Sequence, residues 1–323
     1  MKILVLGGTG AMGTELVKQA AEEGNDVYVT SRSYRGSDFN NVHYICGNGI
    51  DNSFIQEILH ENHYDAIVDF MSYTTDIFKN RFQLFLEHTN QYVYLSSSRV
   101  YADSLILTEK SSRLLETCKD AKYLETDEYA LAKARQEDLL VKSGRMNWTI
   151  IRPYITYNIN RMQLGFLEKE QWLYRALNGK PIAVSTDILE RETTVTFGGD
   201  VAKCIYSIIG RSDAIGEIFQ IASDFHLKWK DVLKTYCDVI TDETGNRPQV
   251  IAEESYEKIA KVVGREFQAE YDRLYNRVFD SAKIKRICGD GFHFTLPEEG
   301  LRYCLQFFIS NKITIRNPDW RYE

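Results

Sequence analysis

Tyr129 and Lys133 have the side-chain types and the spacing that proton transfer requires. They stand four positions apart in a segment, residues 127–142, that is predicted to be helical, so both side chains lie on one face about one turn apart. A free phenol has a pKa of about 10 and is a poor base at neutral pH, but neighbouring positive charges stabilise the phenolate. Ser97, at the carboxyl end of a predicted strand, could hydrogen-bond the same substrate oxygen.

A glycine-rich turn follows the first predicted strand. Residues 7–13 read Gly-Gly-Thr-Gly-Ala-Met-Gly and lie between an apolar run at residues 3–6 and a predicted helix that begins at Thr14. The glycines permit a tight turn, a close approach of backbone N–H groups to a pyrophosphate, and close packing of helix on strand. This context predicts a dinucleotide-binding loop. Its contacts are expected from Gly7, Thr9, Gly10, Ala11, Met12 and Gly13.

The end of the second predicted strand bears on which dinucleotide is bound. About 20 residues past the glycines, an Asp or Glu would bind the ribose 2′-hydroxyl of NAD, but the chain has Ser31 and Arg32 there. A guanidinium group can pair with the 2′-phosphate of NADP. NADP is therefore the preferred cofactor, and NAD is the alternative if Arg32 is only a solvated loop residue.

The elements that must position these groups alternate through the first half of the chain. Short apolar runs, rich in β-branched and aromatic residues and bounded by turn residues, are typical of buried strands. They occupy residues 3–6, 26–30, 42–46, 66–70, 92–96 and 148–152. Helical segments separate them. This βαβ alternation predicts an α/β fold of the Rossmann type, a doubly wound parallel sheet with right-handed crossovers.

The pattern changes after residue 153. Residues 161–177 are predicted to form an aromatic-rich helix, residues 216–222 a further strand of the sheet, and the charged run at residues 253–277 a solvated helical face. These segments predict a smaller, interwoven lobe over the carboxyl ends of the strands, where open α/β sheets bind ligands. The expected division is a dinucleotide-binding domain of residues 1–157 and 194–223, and a substrate-binding lobe of residues 158–193 and 224–323.

The ordered set of motifs resembles the extended short-chain dehydrogenase/reductase family, in its NAD-dependent epimerase/dehydratase branch, whose members mostly act on nucleotide sugars. The segments that carry the resemblance are residues 7–13, 95–101, 129–133 with Glu137, 151–153, 200–202 and 297–301. The resemblance implies that Ser97 is the catalytic serine and that Tyr129 is the acid/base. It implies that Lys133 holds the nicotinamide ribose and tunes Tyr129.

The same resemblance implies further contacts. For the cofactor these are Asn48 and Gly49 near the adenine, Ser96 at the strand end, Phe70, Met71 and Ser72 after the fourth strand, and Pro153 and Ile155 beside the nicotinamide. For the substrate they are Ser98, Arg99, Tyr154, Arg161 and Arg191, with the last two as candidates for a diphosphate. Family 4,6-dehydratases carry Asp-Glu where this chain has Ser98 and Arg99, so dehydration is not favoured.

Composition excludes several other classes of protein. The 323 residues carry a formal net charge of -7 with dispersed basic residues, which argues against a nucleic-acid partner. The six cysteines form no Cys-x-x-Cys pair, so no metal site is predicted. The apolar run at the N-terminus is too short for a signal peptide or a membrane span. A cytoplasmic protein with a small-molecule partner is expected.

Three functional hypotheses follow. The leading one is an NAD(P)-dependent reductase or epimerase that acts on a secondary alcohol or ketone, expected to be that of a nucleotide sugar. The alternative among enzymes is a 4,6-dehydratase with tightly held NAD. The alternative of another class is a non-catalytic dinucleotide sensor or scaffold of the same fold. The resemblance also implies a homodimer that pairs through the helix bearing Tyr129 and the helix before it.

Overall fold

The computed structural model describes residues 1–60 and 62–318 and is built around a parallel sheet. The strands of this part of the chain are β1 (Lys2–Leu6), β2 (Asp26–Ser31), β3 (Val42–Cys46), β4 (Tyr64–Asp69), β5 (Thr89–Leu95), β6 (Trp148–Pro153), β7 (Thr156–Tyr157), β8 (Ile182–Ser185), β9 (Glu192–Thr193), β10 (Thr196–Phe197), β11 (Glu217–Ile221), β12 (Leu227–Lys228) and β13 (Val250–Glu253). Seven of them form the main sheet in the order β11-β6-β5-β4-β1-β2-β3. Every neighbouring pair in it is parallel. The predicted Rossmann-type α/β fold is confirmed.

Helices cover both faces of this sheet. Those that the structure describes are α1 (Gly13–Glu22), α2 (Asn52–His60), α3 (Thr75–Lys79), α4 (Phe82–Glu87), α5 (Leu114–Thr117), α6 (Ala121–Leu124), α7 (Tyr129–Val141), α8 (Lys169–Leu177), α9 (Thr186–Leu189), α10 (Gly198–Ile208), α11 (Trp229–Thr244), α12 (Glu257–Val263), α13 (Glu266–Gln268), α14 (Ala282–Cys288) and α15 (Pro297–Ser310). Short 3₁₀ turns lie at Ser98–Val100 and Ser212–Ala214, and a π-helical turn at Ala269–Arg273.

The strand sequences explain the two-sided burial. Ile3 and Val5 of β1 belong to one apolar cluster and Leu4 and Leu6 to another, and all four side chains are fully buried. Successive side chains of a strand point to opposite faces, so a continuous apolar run suits a strand covered on both sides. Helices α1 and α10 contribute to the first cluster, and α4 contributes to the second.

A third apolar cluster lies under the C-terminal segments. Trp172 of α8 stacks on Tyr236 of α11 with ring centroids 4.3 Å apart, and Leu301 and Leu305 of α15 belong to the same cluster. This core gives the segments after β6 a rigid support of their own, because tightly packed apolar interiors resist deformation.

Two predicted helices are shorter than expected. Residues 161–177 are helical only from Lys169, because the chain before it forms paired turns and Gly165 has a φ of +58°, which ends helical propagation. The predicted helical stretch after residue 255 is divided by Gly264, which caps α12 in the left-handed region with a φ of +64°. Among the described residues, no helix is long and apolar enough to cross a membrane.

Candidate functional site

The glycine loop connects β1 to α1 at the point where the strand order reverses, between β1 and β4. Gly7 has a φ of +70°, which side chains disfavour. A Cβ atom on Gly13 would lie 2.6 Å from the Cα atom of Gly8, so only glycine lets α1 begin this close to the loop. A Cβ atom on Gly10 would meet little except the Gly7 carbonyl oxygen at 3.7 Å. The loop therefore leaves open space beside Gly10.

That space belongs to a cavity of about 430 Å³, here called the loop cavity. Most of the predicted cofactor residues line it: Gly7, Thr9, Gly10, Ser31, Arg32, Asn48, Gly49, Phe70, Met71 and Ser72. Thr30 was missed by the sequence analysis, and it lines the cavity while its Oγ1 accepts a hydrogen bond of 3.1 Å from the Gly7 amide. A cavity between a glycine loop, a helix N-terminus and the end of β2 fits the adenosine half of a dinucleotide.

Arg81 supports the far wall of the loop cavity and was also missed. Its guanidinium group is buried and donates to the carbonyl oxygen of Gly49 at 2.8 Å, and it also bonds the carbonyl oxygen of Ile50. The guanidinium carbon lies 4.8 Å from the ring centroid of Tyr73. Nothing in the spacing of Arg81 along the chain indicates these contacts, because they join α3, α4 and the turn after β3.

A second cavity, of about 260 Å³, lies at the carboxyl ends of β5 and β6 and is here called the tyrosine cavity. The predicted residues that line it are Met12, Ser96, Ser97, Arg99, Tyr129, Pro153, Tyr154, Ile155 and Arg161. Three elements meet there because parallel strands end at one edge of the sheet, and α7 starts at Tyr129 beside that edge. The structure thus brings the predicted serine and tyrosine into one cavity.

Tyr129 and Lys133 differ in their surroundings. Tyr129 is 36% exposed, and desolvation of its phenol raises its pKa, opposed by the charges of Arg99 and Arg161 and by a hydrogen bond with Ser97. Lys133 is buried, and its Nζ donates to the carbonyl oxygen of Leu95 at 2.6 Å. Burial lowers the pKa of the Lys133 ammonium to about 8.

This arrangement differs from the expectation that Lys133 tunes the phenol. The Lys133 Nζ lies 5.8 Å from the Tyr129 ring centroid, but it is directed at backbone carbonyl groups behind the ring. The guanidinium carbon of Arg99 lies 5.3 Å from the same centroid. The positive charges that oppose the rise in the Tyr129 pKa are mainly those of Arg99 and Arg161.

A buried ion cluster, here called the Glu137 cluster, lies behind the tyrosine cavity. Glu137 accepts two hydrogen bonds of 2.7 Å from Arg152 and one of 3.1 Å from Arg113, and it also accepts from the Ser96 hydroxyl. These contacts join α7, β6 and the end of β5. The predicted cofactor residue Ser96 therefore lines the cavity while its hydroxyl hydrogen is committed to Glu137.

Ile155 has unusual backbone geometry. Its φ is +28°, although left-handed conformations are rare for β-branched residues. The short pairing of β7 with β10 follows directly, and the Thr196 amide donates to the Ile155 carbonyl oxygen at 3.0 Å. Strain of this kind persists where surrounding structure holds it, and it is common at ligand sites.

Five predicted residues line neither cavity, and one of them is Lys133, whose contacts are described above. Ser98 is fully buried and donates to the Arg152 carbonyl oxygen at 2.7 Å, so it has no surface to offer a substrate. Arg191 is exposed and lies outside the tyrosine cavity, because the turn that carries it pairs with the start of α11. Ala11 presents its carbonyl oxygen to Asn158 at 3.0 Å. Gly13 serves helix packing as described above.

The charged run at residues 253–277 was predicted to be a solvated face, and this is wrong for its second half. Arg265, Gln268 and Arg273 line the tyrosine cavity, and Arg273 is only 2% exposed. The Gly264 turn ends α12, and beyond it Gln268, Asp272 and Arg273 are buried. Gln163 and Glu168, from the turn region before α8, also line this cavity and were not predicted.

A doubly wound sheet with a glycine loop at its switch point defines a Rossmann-type dinucleotide-dependent protein. The profile of the NAD dependent epimerase/dehydratase family matches residues 3–222, so the chain belongs to this family and is an NAD-dependent enzyme. This confirms the resemblance seen in the motifs. No curated protein matched the chain.

Solved structures that share the fold cover nearly the whole chain. UDP-glucuronic acid 4-epimerase from Bacillus cereus, in complex with NAD, is 14% identical with a TM-score of 0.71, over 97% of this chain and 98% of that one. dTDP-glucose 4,6-dehydratase from Bacillus anthracis, in complex with NAD, is 16% identical with a TM-score of 0.69, over 97% of each chain. The enzyme WbmH from Bordetella bronchiseptica, in complex with NAD+, is 16% identical with a TM-score of 0.70, over 95% of this chain and 98% of that one.

Proposed function

We propose that this enzyme exchanges hydride between a nicotinamide cofactor and a secondary alcohol or ketone carbon of a nucleotide-linked sugar, as a net reductase or as an epimerase. The observation that carries the proposal is that Ser97 and Tyr129 line one cavity with Met12 of the glycine loop. A proton-transfer pair next to a dinucleotide loop is the arrangement that hydride exchange at an alcohol carbon requires.

The loop cavity would hold the adenosine half of the cofactor. Backbone N–H groups at Gly10 and the start of α1 would face the pyrophosphate, and Asn48 would lie near the adenine. Arg32 is exposed and lines this cavity beside Ser31, which supports NADP because its guanidinium can pair with a 2′-phosphate. NAD is the alternative, supported by the three neighbours solved with it. The bound cofactor supplies the hydride donor or acceptor.

Proton transfer would take place at the Tyr129 phenol oxygen. In the oxidative direction the phenolate accepts the proton of the substrate hydroxyl, and in the reductive direction the phenol returns it. The Ser97 Oγ accepts a hydrogen bond of 3.2 Å from the Arg99 amide, and its own hydrogen, now bonded to Tyr129, would turn to donate to the substrate oxygen. Lys133, anchored on the Leu95 carbonyl oxygen, would hold the nicotinamide ribose.

The Glu137 cluster would hold Ser97 and Tyr129 in fixed positions relative to each other. Glu137 on α7 bonds Arg152 on β6 and the hydroxyl of Ser96 at the end of β5. The strand end that carries Ser97 and the helix that carries Tyr129 are thereby tied to one buried carboxylate. Residues that orient the reacting groups in this way act by position and touch no substrate atom.

Two observations support the class of substrate and reaction. Arg161 lines the tyrosine cavity with its side chain 41% exposed, so it would meet a diphosphate at the cavity mouth. Two of the neighbours are named for UDP-glucuronic acid and dTDP-glucose. Dehydration is not favoured, because the acidic pair of the family dehydratases is replaced by the buried Ser98 and the positively charged Arg99.

We also propose the division into a dinucleotide-binding domain of residues 1–157 and 194–223 and a substrate-binding lobe made from the rest. The homodimer remains a prediction. Ala130, Ala132 and Ala134 of α7, whose small side chains would suit a close helix contact, are already buried within one chain. A dimer through α7 would therefore use the helix residues that are exposed, such as Val141.

Replacement of Tyr129 by Phe tests the proposal directly. The ring is kept and the proton-transferring oxygen is lost, so we expect turnover to fall by about 10²–10⁴-fold while cofactor affinity stays within about twofold, a difference that corresponds to less than 0.5 kcal/mol. Steady-state kinetics and fluorescence titration with NADPH measure the two effects. Tyr303→Phe is the control, because Tyr303 is an exposed residue of α15 and should change neither. Wild-type turnover in Tyr129→Phe would refute the role of the phenol.

The cofactor is identified by mass spectrometry of the small molecules that denatured protein releases, with titrations of NADPH and NADH on empty protein. An empty site that binds NADPH far more tightly supports a net reductase and the role of Arg32. Stoichiometric NAD carried through purification supports an epimerase that regenerates its own cofactor, and would overturn the preference for NADP.

A further inference from the structure

The arginine residues beside Tyr129 carry more positive charge than the carboxylates around them neutralise. Arg99, Arg273 and Arg277, here called the arginine cluster, share Glu128 and Asp272. The Arg99 Nη2 lies 2.6 Å from Glu128, and the Arg277 Nε lies 2.9 Å from Asp272, which also pairs with Arg273. Three guanidinium groups thus meet two carboxylates in a largely buried place, where an uncompensated charge is costly.

The lining of the tyrosine cavity shows the same excess. Its cationic side chains are Arg99, Arg161, Arg265 and Arg273, and Glu168 is the acidic side chain among its described lining residues. Glu168 is itself paired with Arg161 at 3.7 Å. A cavity of this composition attracts an anion, because its walls cannot supply the missing negative charge.

Two members of the arginine cluster have hydrogen-bond donors to spare. The donors of Arg277 are all occupied, since it bonds Asp272 and three backbone carbonyl oxygens, and it does not line the cavity. The Arg99 Nε is buried and makes no hydrogen bond with the described residues, since its ion pair with Asp272 is as long as 3.6 Å. Arg273 bonds the Gly165 carbonyl oxygen at 2.9 Å and Asp272, but its contacts with the Tyr154 hydroxyl and the Gln163 side-chain oxygen are long, at 3.4 Å each.

The four lining arginines differ in depth. Arg99 and Arg273 have side chains that are 12% and 2% exposed, whereas Arg161 is 41% exposed and Arg265 is exposed. The guanidinium carbon of Arg99 lies 5.3 Å from the Tyr129 ring centroid. The outer arginines are therefore placed for a group at the mouth, and the inner two for a group near the reacting oxygen.

We propose that Arg99 and Arg273 bind a carboxylate of the substrate close to the carbon that exchanges hydride, so that the natural substrates are nucleotide-linked sugar acids. This inference rests on the proposed function and deepens it. A planar guanidinium group binds a carboxylate through two parallel hydrogen bonds. A carboxylate is also a compact anion that would balance the positive charge of the inner cavity. A neutral hydroxymethyl group would leave the excess positive charge of the inner cavity uncompensated.

Calorimetric titration of the full chain, saturated with its cofactor, compares matched pairs that differ in one group. The pairs are UDP-glucuronate against UDP-glucose and GDP-mannuronate against GDP-mannose. In whichever pair binds, we expect the sugar acid to bind at least about tenfold more tightly than the neutral sugar. This is the difference expected for one charged hydrogen-bond pair. In Arg273→Met and in Arg99→Gln this preference should fall to within about twofold, which is under 0.5 kcal/mol.

Two control variants separate this site from a diphosphate site. Arg161→Met should weaken both members of a pair equally, and Arg191→Met, outside the cavity, should change neither. If both members bind wild-type protein equally, or if Arg273→Met and Arg99→Gln weaken both members equally, the carboxylate site is refuted and the proposed function stands. If no nucleotide sugar of either kind binds, the proposed function fails, and this inference fails with it.

Discussion

The two buried ion clusters of this enzyme differ in their balance of charge. In the Glu137 cluster, burial lowers the pKa of Arg152, but the attraction of Glu137 outweighs that effect and the net shift is upward. In the arginine cluster, burial lowers the pKa of Arg273, and repulsion from Arg99 adds to that effect. The charges of the Glu137 cluster are balanced within the chain itself, and those of the arginine cluster are not.

This difference separates a structural role from a binding role. Glu137, Arg152 and Arg113 join α7 to the sheet and face other protein groups. Arg99 and Arg273 line a cavity and retain donors that no described residue accepts well. A buried charge is retained where it is paired or where it serves a site, and the two clusters exemplify these two cases.

The largest effect is expected from Glu137→Gln. The substitution keeps the shape of the side chain but leaves Arg152 buried without its carboxylate, so we expect the free energy of unfolding to fall by about 3–5 kcal/mol. Urea unfolding followed by tryptophan fluorescence measures it. Asp138→Asn is the control, because Asp138 pairs with the same Arg113 but is 33% exposed, and its loss should cost about 1 kcal/mol or less. Equal losses in the two variants would contradict a special role for Glu137.

A smaller and pH-dependent effect is expected from Lys133→Met. Lys133 lies near Glu137 but bonds only carbonyl groups, and its pKa is about 8 in the folded protein against 10.5 ordinarily. Between these values the unfolded chain binds more protons, so the wild type gains stability as pH rises. Relative to Lys133→Met, this gain should approach about 3 kcal/mol by pH 10.5.

The measurement is the difference in unfolding free energy between the two proteins at several pH values from neutral to alkaline. Groups other than Lys133 titrate in both proteins and cancel in this difference. Well below pH 8 the difference should be constant, because Lys133 is then protonated in both the folded and the unfolded state. A difference that stays constant across the whole range would show that the folded protein does not depress the Lys133 pKa.

The smallest effect on stability is expected from Arg273→Met. Its partner Asp272 keeps Arg277 and Arg99, so no buried carboxylate is left alone. The substitution removes one positive charge from an excess of guanidinium groups, and the relief of repulsion offsets the lost hydrogen bond to Gly165. We therefore expect the free energy of unfolding to change by no more than about 1 kcal/mol. A loss of stability as large as that of Glu137→Gln would mean that the arginine cluster supports the fold in the same way as the Glu137 cluster.

Much of the fold and part of the site follow from local sequence features. The six predicted strands of the first half match the observed ones closely, because an apolar β-branched run covered on both faces has a strong local signature. The glycine loop and the Tyr129 and Lys133 pair were placed by spacing within one element. Ser98, between Ser97 and Arg99, was misassigned because sequence does not tell which side of the strand end faces the protein.

The charged run after residue 253 shows the limit of such reasoning. Its composition is that of a solvated surface helix, and only the turn at Gly264 reveals that the chain changes direction. Gln268 and Arg273 then enter a cavity whose other walls come from β5, β6 and α7. No local pattern encodes this meeting, because burial depends on which distant segments pack against a side chain.

The sequence by itself predicted the doubly wound sheet, the glycine loop and the candidate residues for proton transfer. These depend on interactions within one element or between neighbours in the chain, and periodicity and spacing report such interactions directly. Only the tertiary structure decided that Glu137 and Arg152 form a closed pair while Arg99 and Arg273 face a cavity. The physical reason is that electrostatic balance is summed over groups that are close in space, and those groups are far apart in the chain.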